Sequence, residues 1–279
     1  MSISNKPSKV ILAGAGPGDP ELITLKTLRY LQDADVVLAD RLVSPEILNC
    51  YVNPRAEIIY VGKQCRKGES TPQSSINELM VHHAQAGKLV VRLKGGDTSI
   101  FSNILDELTI LTEQKIPYEI IPGVTAALGA AAYSGIPLTA RGFSTAVRFV
   151  TYYRSDIVTD DYWKELANTN DTLVFYMSAE TLDSVVEHLL SNNISADKKL
   201  AVIGQATTPE QHVAIYPLHD YVRQKNNKEN KEYISPTIII IGKVVALNEQ
   251  FAWIKNNESP AEYFKTSQTA IKNKICYAP

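Results

Sequence analysis

Two glycine turns and a set of cations carry most of the chemistry legible in this chain. GAGPGDP (14–20) follows the apolar run KVILAG (9–14), and LKGGD (93–97) ends a second apolar run that starts at Leu89. A glycine-rich turn between a strand and a helix lets backbone N–H groups approach a ligand, and the helix start favours negative charge. The first turn is not the dinucleotide fingerprint, because the third glycine of GxGxxG is replaced by Asp19. Pro17 removes a donor there, and Asp19 adds a negative charge where a pyrophosphate would sit. A tight structural turn with Asp19 as a helix cap is the competing reading. In the second turn, Asp97 beside bare backbone suits a cationic ligand or ribose hydroxyls, and serves equally well as a cap. Asp40-Arg41 and Lys63 also follow strand-like runs, and Lys63 lies in GKQCRKG (62–68) with Arg66 and Lys67. With Arg92, Lys94, Arg141, Arg148 and Arg154 they form a set of cations able to converge on one anionic ligand, although each taken singly reads as a surface charge. His82 and His83 lack a partner at metal-ligand spacing and read as surface residues; no metal site is expected, and GxSxG, HExxH and Walker A signatures are absent.

The elements that must position these residues alternate. From residue 9 to about 135, β-rich runs at 9–14, 34–40, 57–62, 89–97 and 118–123 are separated by stretches of helical length. The helices fall at 20–34, with Leu22, Leu25, Leu28 and Leu31 on one face, at 73–86, at 99–114, and in the small-residue run TAALGAAAYSG ending at Gly135. This order predicts an α/β fold with a largely parallel sheet covered on both faces and a site beyond the carboxyl ends of its strands. After IPLTARG (136–142) the pattern restarts, with strands at 146–153, 171–177, 199–204 and 237–245 and a helix from Ala179 to Leu190. TTPEQHVAIYPL (207–218) reads as a hairpin or edge segment, 223–233 as an exposed loop, and the chain from about 255 as a tail. The expected division is an N-terminal α/β subdomain over 8–138, a C-terminal one over 139–250, and a tail over 251–279.

Composition narrows the classes. The 279 residues carry 28 Lys+Arg against 30 Asp+Glu, a formal charge of −2, with 44% hydrophobic residues. That balance gives no footprint for nucleic acid, and no apolar run approaches the roughly 20 residues of a membrane span. The first ten residues lack a signal peptide's apolar stretch, so a cytoplasmic location is expected. Cys50, Cys65 and Cys276 are odd in number and widely spaced, which argues against a disulfide framework.

The ordered blocks 10–44, 61–63, 76–97, 121–142, 146–151, 172–177, 207–211 and 235–245 resemble the tetrapyrrole methylases, most closely those acting on uroporphyrinogen III, over roughly residues 9–250. The resemblance implies two α/β subdomains with S-adenosylmethionine (SAM) in the cleft between them, S-adenosylhomocysteine (SAH) as product, no metal, and a homodimer. It assigns Pro17, Gly95, Gly96, Asp97, Ile100, Thr125, Ala126, Met177 and Ala206 to the methyl donor, Asp40 to the proton acceptor and Lys63 to the proton donor. Uroporphyrinogen is a polycarboxylate, so a near-neutral protein binding it must concentrate cations locally; Arg41, Arg92 and Arg148 are the candidates. The activity implied is C-methylation of uroporphyrinogen III to precorrin-2, in siroheme or cobalamin formation.

The chain departs from the family where the usual GGDPFIFGRGGEE becomes GGDTSIFSNILDE (95–107), and the usual FVTGH becomes Phe149-Val150-Thr151-Tyr152-Tyr153. The first change replaces a flexible, cationic segment with one expected to form a more regular helix. Both fall on the substrate side, which leaves a different acceptor as the alternative, or a weakly active homologue that binds without turnover.

Overall fold

The computed structural model describes residues 8–61, 72–152, 158–221, 223, 233–257 and 260–264. The chain divides into two compact units, one of Met1–Thr125 with Phe264–Pro279 and one of Ala126–Tyr263. The division falls at 125/126 instead of 138/139, so the small-residue helix belongs to the second unit.

Unit 1 holds a five-stranded sheet of β1 (Lys9–Gly14), β2 (Val36–Ala39), β3 (Glu57–Tyr60), β4 (Leu89–Lys94) and β5 (Tyr118–Ile121), in the order β3-β2-β4-β1-β5. Every pairing is parallel, as alternation with helices requires. Helices α1 (Leu25–Asp33) and α2 (Pro45–Tyr51) cover one face, packing Leu31, Ile47 and Leu48 on Ile11, Val37, Val91 and Ile121. Helices α3 (Gln73–Gln85) and α4 (Ile104–Glu113) cover the other, packing Ile76, Met80 and Leu111 on Val10, Leu12, Leu38 and Val90. Alternate strand residues feed opposite faces, and each such buried aliphatic side chain contributes on the order of 1.5–3 kcal/mol.

Several details differ from the sequence reading. Helix α1 begins after Thr24, whose side chain caps the Thr27 N–H at 3.2 Å, and Leu25 stays 77% exposed. The core face of α1 is formed by Thr27 and Leu31. The short helix α2 escapes periodicity, but Ser44 caps it with Pro45 in its first turn. His83 is buried beside Lys88, which makes a 3.2 Å contact with Nδ1; burial, then the Lys88 charge, lower its pKa. Cys50 is disulfide-bonded, against the expectation from cysteine spacing. Residues 98–103 are not helical: Phe101 and Asn103 adopt φ of 50° and 54°, and α4 starts only at Ile104.

Unit 2 contains α5 (Ala126–Ser134), β6 (Val147–Thr151), α6 (Asp160–Asn168), β7 (Thr172–Tyr176), α7 (Leu182–Ser191), β8 (Lys199–Gly204), β9 (His212–Pro217) and β10 (Thr237–Gly242). Its sheet runs β6-β7-β10-β8-β9. Only β6 and β7 pair in parallel; β10 runs antiparallel to both neighbours, and β9 forms the expected edge hairpin with β8. Trp163 and Leu166 from α6 and Val185, Val186 and Leu189 from α7 bury one face against Phe175, Val202 and Ile239.

The segment read as a tail is fastened to unit 2. Asn256 Oδ1 accepts from the Val213 N–H and its Nδ2 donates to the Val213 carbonyl, at 2.9 and 2.8 Å. Glu210 Oε2 accepts from Asn257 Nδ2 and the Ala261 N–H, both at 2.8 Å. The Gln205 side-chain amide bonds the Ala261 carbonyl and the Tyr263 N–H, each at 2.6 Å.

Candidate active site

Parallel pairing brings the carboxyl ends of β1, β2, β4 and β5 to one edge of the unit 1 sheet. Gly16 and Gly96 exchange backbone hydrogen bonds of 3.1 and 2.8 Å across the two glycine turns. Gly123, in the turn after β5, packs against both: a Cβ on Gly123 would lie 2.3 Å from the Gly96 carbonyl oxygen and 2.9 Å from Gly14 Cα. Three turns thus meet backbone to backbone, an approach open only to glycine. Gly95 is confined by Leu42 of the Asp40 loop, 2.9 Å from where its Cβ would be.

The Asp97 carboxylate braces these turns. Its Oδ1 accepts from the Ser99 N–H and hydroxyl at 2.8 and 2.5 Å, and its Oδ2 from the Gly123 N–H at 2.9 Å. Burial alone would raise its pKa, but these bonds outweigh burial and hold it below the usual carboxylate range. Pro17 and Thr125 are buried and Ile100 half-buried along the same edge.

Asp40 follows β2, its side chain 28% exposed. Beneath it lies an ionic array that the sequence reading did not assemble. Arg92 Nη2 donates to Asp40 Oδ1 at 2.6 Å and Nε to Glu107 Oε1 at 2.8 Å, while Lys94 Nζ donates to Glu107 Oε2 at 2.8 Å. Arg92 and Glu107 have side-chain exposures of 3% and 0%. Arg92, expected to meet a substrate carboxylate, instead has its charge met inside the unit by Asp40 and Glu107. Burial would lower its pKa, but Asp40 and Glu107 overcome that and raise it. Burial, then the Arg92 charge, lower that of Lys94 against the pull of Glu107. The missed residue is Glu107, whose signal was an acid on the apolar stripe of α4, four residues before buried Leu111. Arg41 is half-buried in the Asp40 loop. Lys63, Arg66, Lys67 and Arg154 lie outside the described residues.

In unit 2 the strand register sets Met177 and Ala206 at one end of the sheet. Tyr176 pairs with Ile238 and Gly204 with Thr237, so Met177 and Gln205 emerge on either side of the start of β10. The Tyr176 hydroxyl accepts from the Ala127 N–H at 3.0 Å and ties the start of α5, at Ala126, to the same end. Arg148 is not there. It lies beside Leu173 near the opposite end of β6, bonded through Nε to Asp171 at 2.5 Å and through Nη1 to Glu165. The expectation that Arg148 meets a substrate carboxylate is corrected accordingly.

Backbone conformation singles out the same loops. Seven non-glycine residues among those described have φ between 48° and 68°. Lys115 and Asn193 follow α4 and α7, where a left-handed residue commonly ends a helix. The other five, Phe101, Asn103, Met177, Gln205 and Thr207, all lie in or beside the loops assigned to binding. Strain of this kind concentrates at functional sites. The Thr207 N–H donates to Gln211 Oε1 at 2.8 Å and Gln211 Nε2 to the Tyr133 carbonyl at 3.1 Å, which hold the 205–211 loop in shape. Among the described residues there is no His/Cys/Asp/Glu group able to hold a metal, and no helix is long and apolar enough to cross a membrane.

Comparison with known proteins agrees with these features. A siroheme synthase of Vesicomyosocius okutanii is 44% identical over 244 residues, which cover 88% of this chain and 51% of that protein. A siroheme synthase of Pseudomonas fluorescens is also 44% identical, over 91% of this chain and 53% of its own length. The chain thus spans about half the length of these curated relatives. Among solved structures, a Thermus thermophilus uroporphyrin-III C-methyltransferase complexed with S-adenosylhomocysteine superposes with a TM-score of 0.71 at 34% identity, covering 86% of this chain and 99% of that one. A cobalt precorrin-4 methyltransferase superposes at 0.72 with 27% identity, over 85% of this chain and 96% of its own. The model of the tetrapyrrole (corrin/porphyrin) methylases matches residues 9–221, from β1 of the first unit past β9 of the second, and to that family the chain belongs.

Proposed function

We propose that the chain is a SAM-dependent C-methyltransferase that converts uroporphyrinogen III to precorrin-2 by methylation at C2 and C7. The observation that supports this most directly is that the left-handed residues at 101, 103, 177, 205 and 207 coincide with the loops the family uses for the methyl donor. The residues present suit that donor. Pro17 offers no N–H and Asp19 adds negative charge, which disfavours a pyrophosphate and tolerates a sulfonium cation. Met177, 55% exposed, presents its thioether and backbone at the end of β7.

S-adenosylmethionine, when bound, supplies an electrophilic methyl group whose transfer to a pyrrole carbon erases the sulfonium charge. The chain's own contribution to such a displacement is placement. Pro17, Gly95, Gly96, Asp97, Ile100, Thr125, Ala126, Met177 and Ala206 hold the donor in this reading. Asp40 accepts the proton that later leaves the macrocycle, Lys63 donates, and Arg41 faces substrate carboxylates. The protein works as a cytoplasmic homodimer, and its product enters siroheme or cobalamin formation. An acceptor other than uroporphyrinogen III is favoured by the segment 98–103, with Asn103 where the family has arginine, and by the sequence Tyr152-Tyr153 where the family has glycine and histidine.

Anaerobic incubation of the purified protein with SAM and freshly generated uroporphyrinogen III, followed by mass and absorbance, tests the reading. Two added methyl groups, lost or sharply reduced in Asp40→Ala, are expected. SAH binding without any methylation would overturn the substrate, and absence of both would overturn the reading.

A further inference from the structure

We infer that Arg92, clamped by Glu107, is a positioning residue for Asp40: it fixes the carboxylate at the sheet edge with one oxygen engaged and the other left for the proton. The inference rests on the functional reading above, in which Asp40 is the proton acceptor.

Strand β4 is buried along its whole length, yet Arg92 and Lys94 stand two residues apart on the same face of it. Two cations in such a place need partners, since a buried charge left unpaired costs several kcal/mol. They have two, Glu107 from α4 and Asp40 from the end of β2. The array contains two cations and two carboxylates, so it is charge-balanced without any ligand. Within it the guanidinium has no freedom. Nε is bound to Glu107, Nη1 donates to the carbonyls of Leu38 and Leu93 at 3.3 Å each, and Nη2 is bound to Asp40. Glu107 in turn is held by Lys94.

Asp40 is the one member of the array that reaches solvent. The main chain fixes it as well, the Asp40 N–H donating to the Leu93 carbonyl at 3.0 Å. Arg92 occupies Oδ1, and among the described residues Oδ2 takes no hydrogen bond. A carboxylate so held has its side-chain rotation stopped from the buried side, and its second oxygen is the one that can take a proton. The methylated ring carbon already bears an acetate side chain and has no hydrogen to lose, so the proton passes to Oδ2 from a neighbouring bridging CH2. The electron pair of that C–H bond stays in the macrocycle and cancels the positive charge left by methylation. An arginine suits this task better than a lysine, because one planar fork reaches both carboxylates and the strand carbonyls together.

The test is Arg92→Lys, which keeps the charge and loses the fork. The expected result is a fall in kcat of roughly 10–100-fold, the scale of a misplaced catalytic group. KM for uroporphyrinogen and Kd for SAH should stay within about twofold, since a buried positioning residue touches neither. In an Asp40→Asn background the same substitution should cost little, a coupling that a merely structural role would not produce. If Arg92→Lys does not fold, the charge-balanced double variant Arg92→Gln/Glu107→Gln carries the same comparison. Unchanged kcat, losses that multiply in the Asp40→Asn background, or failure of both variants to fold would each overturn the inference. An Asp40→Asn protein with full activity would overturn the proton-acceptor reading, and the inference with it.

Discussion

Asp97 Oδ2 and the Gly123 N–H are joined by a 2.9 Å hydrogen bond that spans 26 residues of sequence. It couples the turn after β4 to the turn after β5, while the other oxygen of the same carboxylate organises Ser99. The acid in the GGD motif therefore shapes the binding edge from behind. Asp97→Asn keeps the size but loses the charge-assisted bonds, a loss of about 1–3 kcal/mol. Isothermal titration should show SAH binding weakened roughly tenfold or more, with the variant still folded; unchanged affinity would exclude the bracing role.

Gly123 gives a sharper case. Because its Cβ would sit 2.3 Å from the Gly96 carbonyl oxygen, Gly123→Ala must push the turns apart. Overpacking of this kind costs about 1–3 kcal/mol. Urea unfolding should show that loss. Gly87→Ala is the companion control: nothing lies within 4 Å of its Cβ, so only its φ of +82° is strained.

The core of unit 1 depends on Glu107. In Glu107→Gln, Arg92 loses one of its carboxylates and Lys94 its hydrogen-bonded carboxylate. Breaking a buried pair in this way destabilises by about 3–5 kcal/mol. Denaturant midpoints should fall accordingly, and a shift below about 1 kcal/mol would mean that the array relaxes around the change.

Acid should loosen unit 1 through Glu119. Hydrogen bonds from Lys26, Lys9 and Tyr30 draw its pKa from 4.5 down to about 2. A carboxylate whose folded pKa is depressed contributes stability above its unfolded value and loses it as pH falls through the folded one. The contribution is thus full above about pH 5 and fades between 4.5 and 2. Thermal melts of Glu119→Gln should be lower than wild type at pH 7 and converge with it near pH 2; parallel curves would remove Glu119 from the acid response.

The segment 256–263 should prove to be part of the unit 2 loop system. Glu210→Ala removes the acceptor for both Asn257 Nδ2 and the Ala261 N–H, worth about 0.5–1.5 kcal/mol each. Hydrogen exchange should quicken in 256–263 and in 205–211 together. Faster exchange in 256–263 alone would show that the loop holds its shape independently.

Much of this was legible beforehand, for reasons particular residues make clear. KVILAG and LVVRLK read as strands because apolar runs stop at glycine, and α3 reads almost to the residue as a polar stretch of helical length. Helices α2 and α6 do not stand out in the same way; their signals are the caps Ser44 and Thr159. The segment 99–103 was read as helix because its composition permits one, and nothing local announces that Phe101 and Asn103 turn left-handed. Arg92 and Arg148 show the deeper limit. Whether an arginine faces a ligand or a carboxylate of its own chain depends on residues 15 to 52 positions away, and a motif scan does not pair them.

Strand β9 closes one side of the unit 2 sheet, and its outward backbone groups would ordinarily offer a template to any extended peptide. At Val213 the side-chain amide of Asn256 takes both the N–H and the carbonyl, imitating the next strand without continuing the sheet. The stretch that looked like a tail therefore also covers that edge at Val213, and a chain truncated before Asn256 should be more prone to self-association through β9.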